Sequence, residues 1–124
     1  MSVDPRFLKG LELFNREEYF ECHEVIEELW LATPTEDGYR NLYKGVIQAA
    51  AAIYQFDRGI LSGALGLYET AMGYLEPYRP AALGLHVDKL IKDLESCFNE
   101  LESWDGKSTI KRDRKLTPIL NYKT

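Results

Sequence analysis

Apolar residues recur every three or four positions along most of this chain, the spacing of a helix face and not of a strand. Phe7, Leu8, Leu11 and Phe14 form the first such run. Asp4-Pro5 ahead of it offers a capping carboxylate and a proline at the first helical position, which predicts a helix over 5–15. Asn15-Arg16-Glu17 then turns the chain into a second helix over 17–32, closed by Thr33-Pro34-Thr35-Glu36-Asp37-Gly38. A third helix, over 39–58, is apolar nearly all round from Val46 to Tyr54, as an enclosed helix would be. One stripe of it is small and polar: Asn41, Lys44, Gly45, Gln48, Ala51, Ala52 and Gln55. That stripe is expected to face the second helix. Arg58-Gly59 leads into a fourth helix over 61–76, and Pro77 and Pro80 interrupt the chain before a long fifth over 82–103. Val87, Leu90, Ile91, Leu94, Phe98 and Leu101 mark the buried stripe of that last helix.

An internal echo lies beneath the pattern. FNREEYFECHEVIEELW, from Phe14, aligns with FDRGILSGALGLYETAM, from Phe56, at an offset that pairs Asn15 with Asp57, Arg16 with Arg58 and Glu27 with Glu69. Two helical hairpins of similar build, loosely like tetratricopeptide pairs, would produce it. The expected fold is therefore all-α, a single-domain bundle of about five helices built from two hairpins plus a long C-terminal helix. The helical domain is expected over 1–106, with 107–124 as a basic tail docked on it.

Length supports this, since 124 residues can bury one core without staples. Cys22 and Cys97 each fall among apolar helical neighbours and read as reduced core residues. MSVDPRF has no basic-then-apolar signal pattern and no apolar run nears ~20 residues, so a cytoplasmic location is expected and no membrane partner. A net charge of −5 argues against nucleic acid. The charge is uneven: residues 1–38 carry ten acids against three bases, and 107–123 carry six bases against one acid. The tail is expected to lie on the acidic face of its own domain.

The chemistry concentrates in the second helix, at His23-Glu24-Val25-Ile26-Glu27-Glu28-Leu29-Trp30, of the form HExxExxW. With His23 at zero on a helical wheel, Trp30 falls near ~−20°, Tyr19 near ~−40°, Glu27 near ~+40° and Phe20 near ~+60°. His23 and Glu27 are thus expected inside an aromatic face, with Glu24 at its margin and Glu21 and Glu28 pointing away. Charges buried in such a face need partners, and Gln48 and Gln55 of the third helix are placed to supply them.

Asn15, the HExxExxW helix and the later Gly45-Val46-Ile47-Gln48-Ala49-Ala50 together resemble the family called domain of unknown function 309. The resemblance spans roughly residues 7–76 and implies a small all-helical prokaryotic protein. It also implies a histidine near the end of the second motif helix and an asparagine after the Arg-Gly turn, where this chain has Gln55 and Ile60.

Three readings of the motif stay open. In the first, His23 and Glu27, one turn apart, ligate a divalent metal such as zinc, manganese or iron, and Glu24 is a general base, by analogy with HExxH hydrolases. In the second, His23, Glu24 and Glu27 serve a metal-free acid–base or binding pocket for a small polar ligand. Tyr19, Trp30, Gln48 and Gln55 would line that pocket. In the third, a His–Glu–Gln network locks two helices of an interaction module together. Homo-oligomers are compatible with all three. Neither a Ser-His-Asp set nor a glycine-rich phosphate loop is present, so acyl-transfer and nucleotide enzymes have no support.

Overall fold

The computed structural model describes residues 3–124; Met1 and Ser2, which open the MSVDPRF stretch, lie outside the described residues. It is an all-α bundle of α1 (Pro5–Asn15), α2 (Tyr19–Ala32), α3 (Arg40–Asp57), α4 (Leu61–Leu75) and α5 (Val87–Glu102). Asp4 caps α1 by accepting a hydrogen bond from the Arg6 amide at 2.8 Å, with Pro5 at the first helical position. Each helix packs on its neighbour in sequence: α1 on α2, α2 on α3, α3 on α4, α4 on α5. The third helix is enclosed between α2 and α4, and Leu42, Val46, Ile47, Ala49, Ala50, Ala52 and Ile53 are buried on it. Gly45 belongs to the α4 side and not to the α2 side predicted for it: a Cβ there would lie 2.8 Å from Leu75. Tyr68 of α4 stacks on Phe98 of α5 at 4.6 Å, and Phe56 of α3 closes on the same ring at 5.3 Å. No helix among the described residues is long and apolar enough to cross a membrane.

The sequence echo has a structural counterpart in the two hairpin turns. The amide of Glu18 bonds the Leu13 carbonyl and that of Glu17 bonds the Phe14 carbonyl; Ile60 to Gln55 and Gly59 to Phe56 repeat the pair. This is the paired-bond cap that satisfies orphan carbonyls at a helix end. Its left-handed residue is Gly59 (φ 78°) in the second hairpin but Glu17 (φ 61°) in the first, where a side chain makes the conformation costlier.

The fifth helix starts at Val87, five residues later than predicted, because a small antiparallel hairpin intervenes. β1 (Ala81–Ala82) pairs with β2 (Leu85–His86), and Leu83 (φ 48°) and Gly84 (φ 81°) form its turn. Left-handed residues cannot continue an α-helix, so the helical pattern begins after them. Beyond α5 the chain crosses back over the bundle. Leu85 bridges Tyr122, the His86 amide donates to the Asn121 carbonyl, and Lys123 donates to Gly84. The Asn15 amide group bonds both backbone groups of Leu120, at 2.7 and 2.9 Å, and Leu120 is 3% exposed.

Among the described residues Arg112 is the one charged residue that is buried, with a side chain 1% exposed. Its Nε and Nη2 donate to the two Asp57 oxygens at 2.8 and 3.0 Å, Nη1 to Thr117 Oγ1 at 2.8 Å, and Nη2 to Glu17 at 3.4 Å. Burial opposes its charge, but the Asp57 hydrogen bonds and charge outweigh burial and hold it protonated. Glu17 and Asp57 are the acids that ion-pair with residues 107–124; Glu21, Glu24 and Glu28 of α2 do not.

Three substitutions test these packing statements. Gly10→Ala places a methyl group against the Ile26 side chain across α1 and α2 and should cost about 1–3 kcal/mol by urea denaturation. Gly66→Ala, on an open helix face of α4, should instead stabilise by ~0.5–1 kcal/mol. Arg112→Ala strands Asp57 and should cost roughly 2–3 kcal/mol, with little relief in high salt because the pair is shielded from solvent ions. Full rescue of that loss by high salt would contradict the buried-pair account.

Candidate functional site

The antiparallel packing of α2 on α3 sets which residues meet. At one end Tyr19, Phe20 and His23 of α2 face Ala51, Tyr54, Gln55 and Arg58, and together they line a cavity of about 230 Å³. Ala51 is why the space exists, since its methyl group leaves a gap between helices that flanking large residues hold apart. Phe20, 45% exposed, closes one wall, its ring 5.7 Å from Tyr54 and 6.3 Å from the His23 imidazole. At the rim the Arg58 guanidinium sits 5.4 Å from the Tyr54 ring.

Tyr19 forms the buried end. Its ring packs edge-on against Phe14 at 5.2 Å, with the Arg112 guanidinium 5.9 Å away, and the residue is 3% exposed. The hydroxyl nevertheless has no hydrogen-bond partner, and neither does one end of the Gln55 amide. Burial pushes the Tyr19 hydroxyl pKa well above the usual tyrosine range, so it remains a neutral donor.

His23 Nε2 lies 3.3 Å from Glu27 Oε2 on the next turn of α2. Here the sequence expectation of a buried pair fails. The two side chains are 32% and 42% exposed, and neither contacts a glutamine of α3 through a hydrogen bond. A helical wheel gives direction but not depth, and the cavity beside His23 leaves this face partly open to solvent. Glu24, cast as a general base, is exposed and outside the cavity lining. Among the described residues no group of three or more His, Cys, Asp or Glu converges. His23 and Glu27 would hold a metal with two protein donors, one short of the three in catalytic zinc sites.

Trp30 lies two turns up α2, away from the cavity. Arg40 and Lys44 each sit 4.2 Å from its ring centre, a double cation–π contact joining α2 to the start of α3. The indole N–H and one end of the Gln48 amide are buried without partners in this region. Of the predicted site residues, then, Tyr19, His23 and Gln55 share one cavity; Glu27 touches it only through His23, and Trp30 and Gln48 stand apart. Sequence reasoning missed Phe20, Tyr54 and Arg58. Phe20 had a signal in its wheel position beside Glu27, and Arg58 lay in the turn that the echo marks. Cys22 and Cys97 are free and buried, with thiol pKa values pushed by burial up to about 12 and about 11.

The fold and cleft define an all-helical hairpin-bundle protein with a polar, aromatic-walled gap between its second and third helices. Residues 7–67 match the family described as Domain of unknown function (DUF309), a stretch that contains all of α2 and α3. It is also similar to the Uncharacterized protein YpuF of Bacillus subtilis (strain 168), 32% identical over 95 residues that cover 75% of this chain and 54% of YpuF. The chain thus spans about half the length of that relative. No solved structure matches it.

The exposure of the acidic pair sets a prediction for two neighbouring glutamates. Glu27→Ala and Glu24→Ala should each cost about 0.5 kcal/mol or less in chemical denaturation, as solvated carboxylates do. A loss near 3 kcal/mol for Glu27→Ala alone would restore the buried network and remove the open cleft.

Proposed function

We propose that the α2–α3 cleft is a binding pocket for a small, planar, polar molecule. The reading rests on one observation above the others: the Tyr19 hydroxyl, fully covered yet unpartnered, belongs to a residue that lines a cavity also lined by His23 and Gln55. Such a group costs stability unless something bonds it, and a protein tolerates that cost most readily where binding needs it. Aromatic walls from Phe20 and Tyr54 suit a flat ring. Tyr19, Gln55 and His23 offer a donor, an amide and an imidazole, and Arg58 at the rim suits a carboxylate or other anionic edge. Glu27 Oε2 lies 3.3 Å from His23 Nε2, so Nδ1 is the nitrogen that would meet the ligand. The volume of about 230 Å³ is below the ~300–1,000 Å³ of drug-sized pockets, so the ligand is small. The unpartnered amides of Gln48 and Gln55 speak against a closed architectural network, whose members would be satisfied.

Protein-observed NMR with 4-hydroxybenzoate and nicotinamide as probes tests the pocket. Shifts confined to Phe20, His23, Tyr54 and Gln55 are expected. Tyr19→Phe should abolish them while stabilising the fold by about 1 kcal/mol, because it deletes an unpaired buried hydroxyl. Gln55→Ala should weaken binding with the fold kept. A Tyr19→Phe variant that is destabilised would mean the hydroxyl already has its partner within the protein, and the pocket reading would fall.

A further inference from the structure

A second cleft, of about 530 Å³, opens between the α3–α4 turn and the chain that returns after α5. Four cations line it: Arg58, Lys111, Arg112 and Arg114. The opposing charges are Asp57 in the lining and Glu17 beside it. Both are already engaged. Arg112 takes the two Asp57 oxygens at 2.8 and 3.0 Å, and Arg114 Nη1 lies 3.2 Å from Glu17 and 3.7 Å from Asp57. Arg58 and Lys111 pair with no carboxylate among the described residues, in a chain whose net charge is −5.

An acidic protein that gathers four cations around two carboxylates carries a local positive surplus, and that surplus faces a cleft and not an open surface. Arg58 is held in place by the Tyr54 ring beneath it, at 5.4 Å, so its planar donor fork is preorganised. Arg114, 67% exposed, and Lys111 approach from the opposite, C-terminal segment. Cations on two separate segments suit an anion that can accept from several directions at once. A phosphate group does this with three oxygens and up to two charges, where a carboxylate satisfies a single arginine fork. The cleft exceeds what one phosphate fills and lies within the ~300–1,000 Å³ range of small-molecule sites, with Ile110 supplying an apolar wall.

We propose that this cleft binds a small molecule through a phosphate group, using Arg58 and Lys111 as the free cations and Arg114 as a third. The site is separate from the α2–α3 pocket except that Arg58 lines both. Its test therefore turns on Lys111, which does not line that pocket.

Full-length protein, isotope-labelled, is titrated at constant ionic strength with inorganic phosphate and with phenyl phosphate. Saturable shifts of the Arg58, Gly59 and Thr109–Lys111 amides are expected with both. Tighter binding of phenyl phosphate assigns an organic phosphomonoester as the ligand; equal binding assigns free phosphate. Lys111→Ala should weaken binding about tenfold, the worth of a charge-assisted contact. Lys92→Ala makes the same charge change on the exposed face of α5 and should leave binding intact. Shifts that never saturate, or equal weakening by Lys92→Ala, would reduce the effect to general electrostatics and overturn the proposal. Unchanged amide spectra of the two unliganded variants establish that both are folded.

Discussion

A helix can be enclosed on two sides only if its neighbours can approach it, and α3 meets that condition with small side chains. Gly45 admits Leu75 from α4, and Ala49, Ala50 and Ala52 are buried without forcing adjacent helices apart. Close packing of this kind leaves few voids, so each methylene at the contact matters. The same constraint locates the polar chemistry. The long polar side chains of α3, Arg40, Lys44, Gln48 and Gln55, and of Arg58 just after it, leave its enclosed face and emerge along the seam with α2 or at the helix ends. The cleft beside His23 opens where that seam carries Ala51 in place of a large residue.

Much of the architecture was legible because helical periodicity and turn chemistry agree over most of the chain. Asp4-Pro5, Asn15-Arg16, Thr33 to Gly38 and Arg58-Gly59 delimit α1 to α4 to within two residues. The echo between Phe14 and Phe56 proved to be a repeated helix cap, carried more by backbone hydrogen bonds than by side chains. What the pattern hid was the hairpin at 81–86. Strands of two residues are too short to show alternation, and their partner, Tyr122, lies far along the chain.

The site was legible in direction and not in depth. The HExxExxW spacing put Tyr19, His23 and Glu27 on the side of α2 that meets α3, and Gln55 on the facing helix. It could not report that Glu27 and His23 stay partly solvated, because that depends on which side chains of α3 face them. Arg112 was similarly hidden within a basic run, Lys111-Arg112-Asp113-Arg114-Lys115, whose members look alike in sequence. Only three-dimensional packing singles out Arg112 as the member that enters the core, while its neighbours stay in water.

The returning segment also bears on the order in which this chain can assemble. Most contacts among the five helices are made between neighbours in sequence, and such local contacts form early and fast. The Asn15–Leu120 bonds join residues 105 positions apart, so closing that loop carries a larger entropic cost. On a ribosome, Leu120 emerges after every helix has already been made. Glu17, in its left-handed turn, must therefore wait for Arg112 and Arg114 before its carboxylate is neutralised. Asp57 of the second turn waits for the same arginines, so the first hairpin turn, although the first to be synthesised, is among the last parts of the helical bundle to reach its native electrostatic environment.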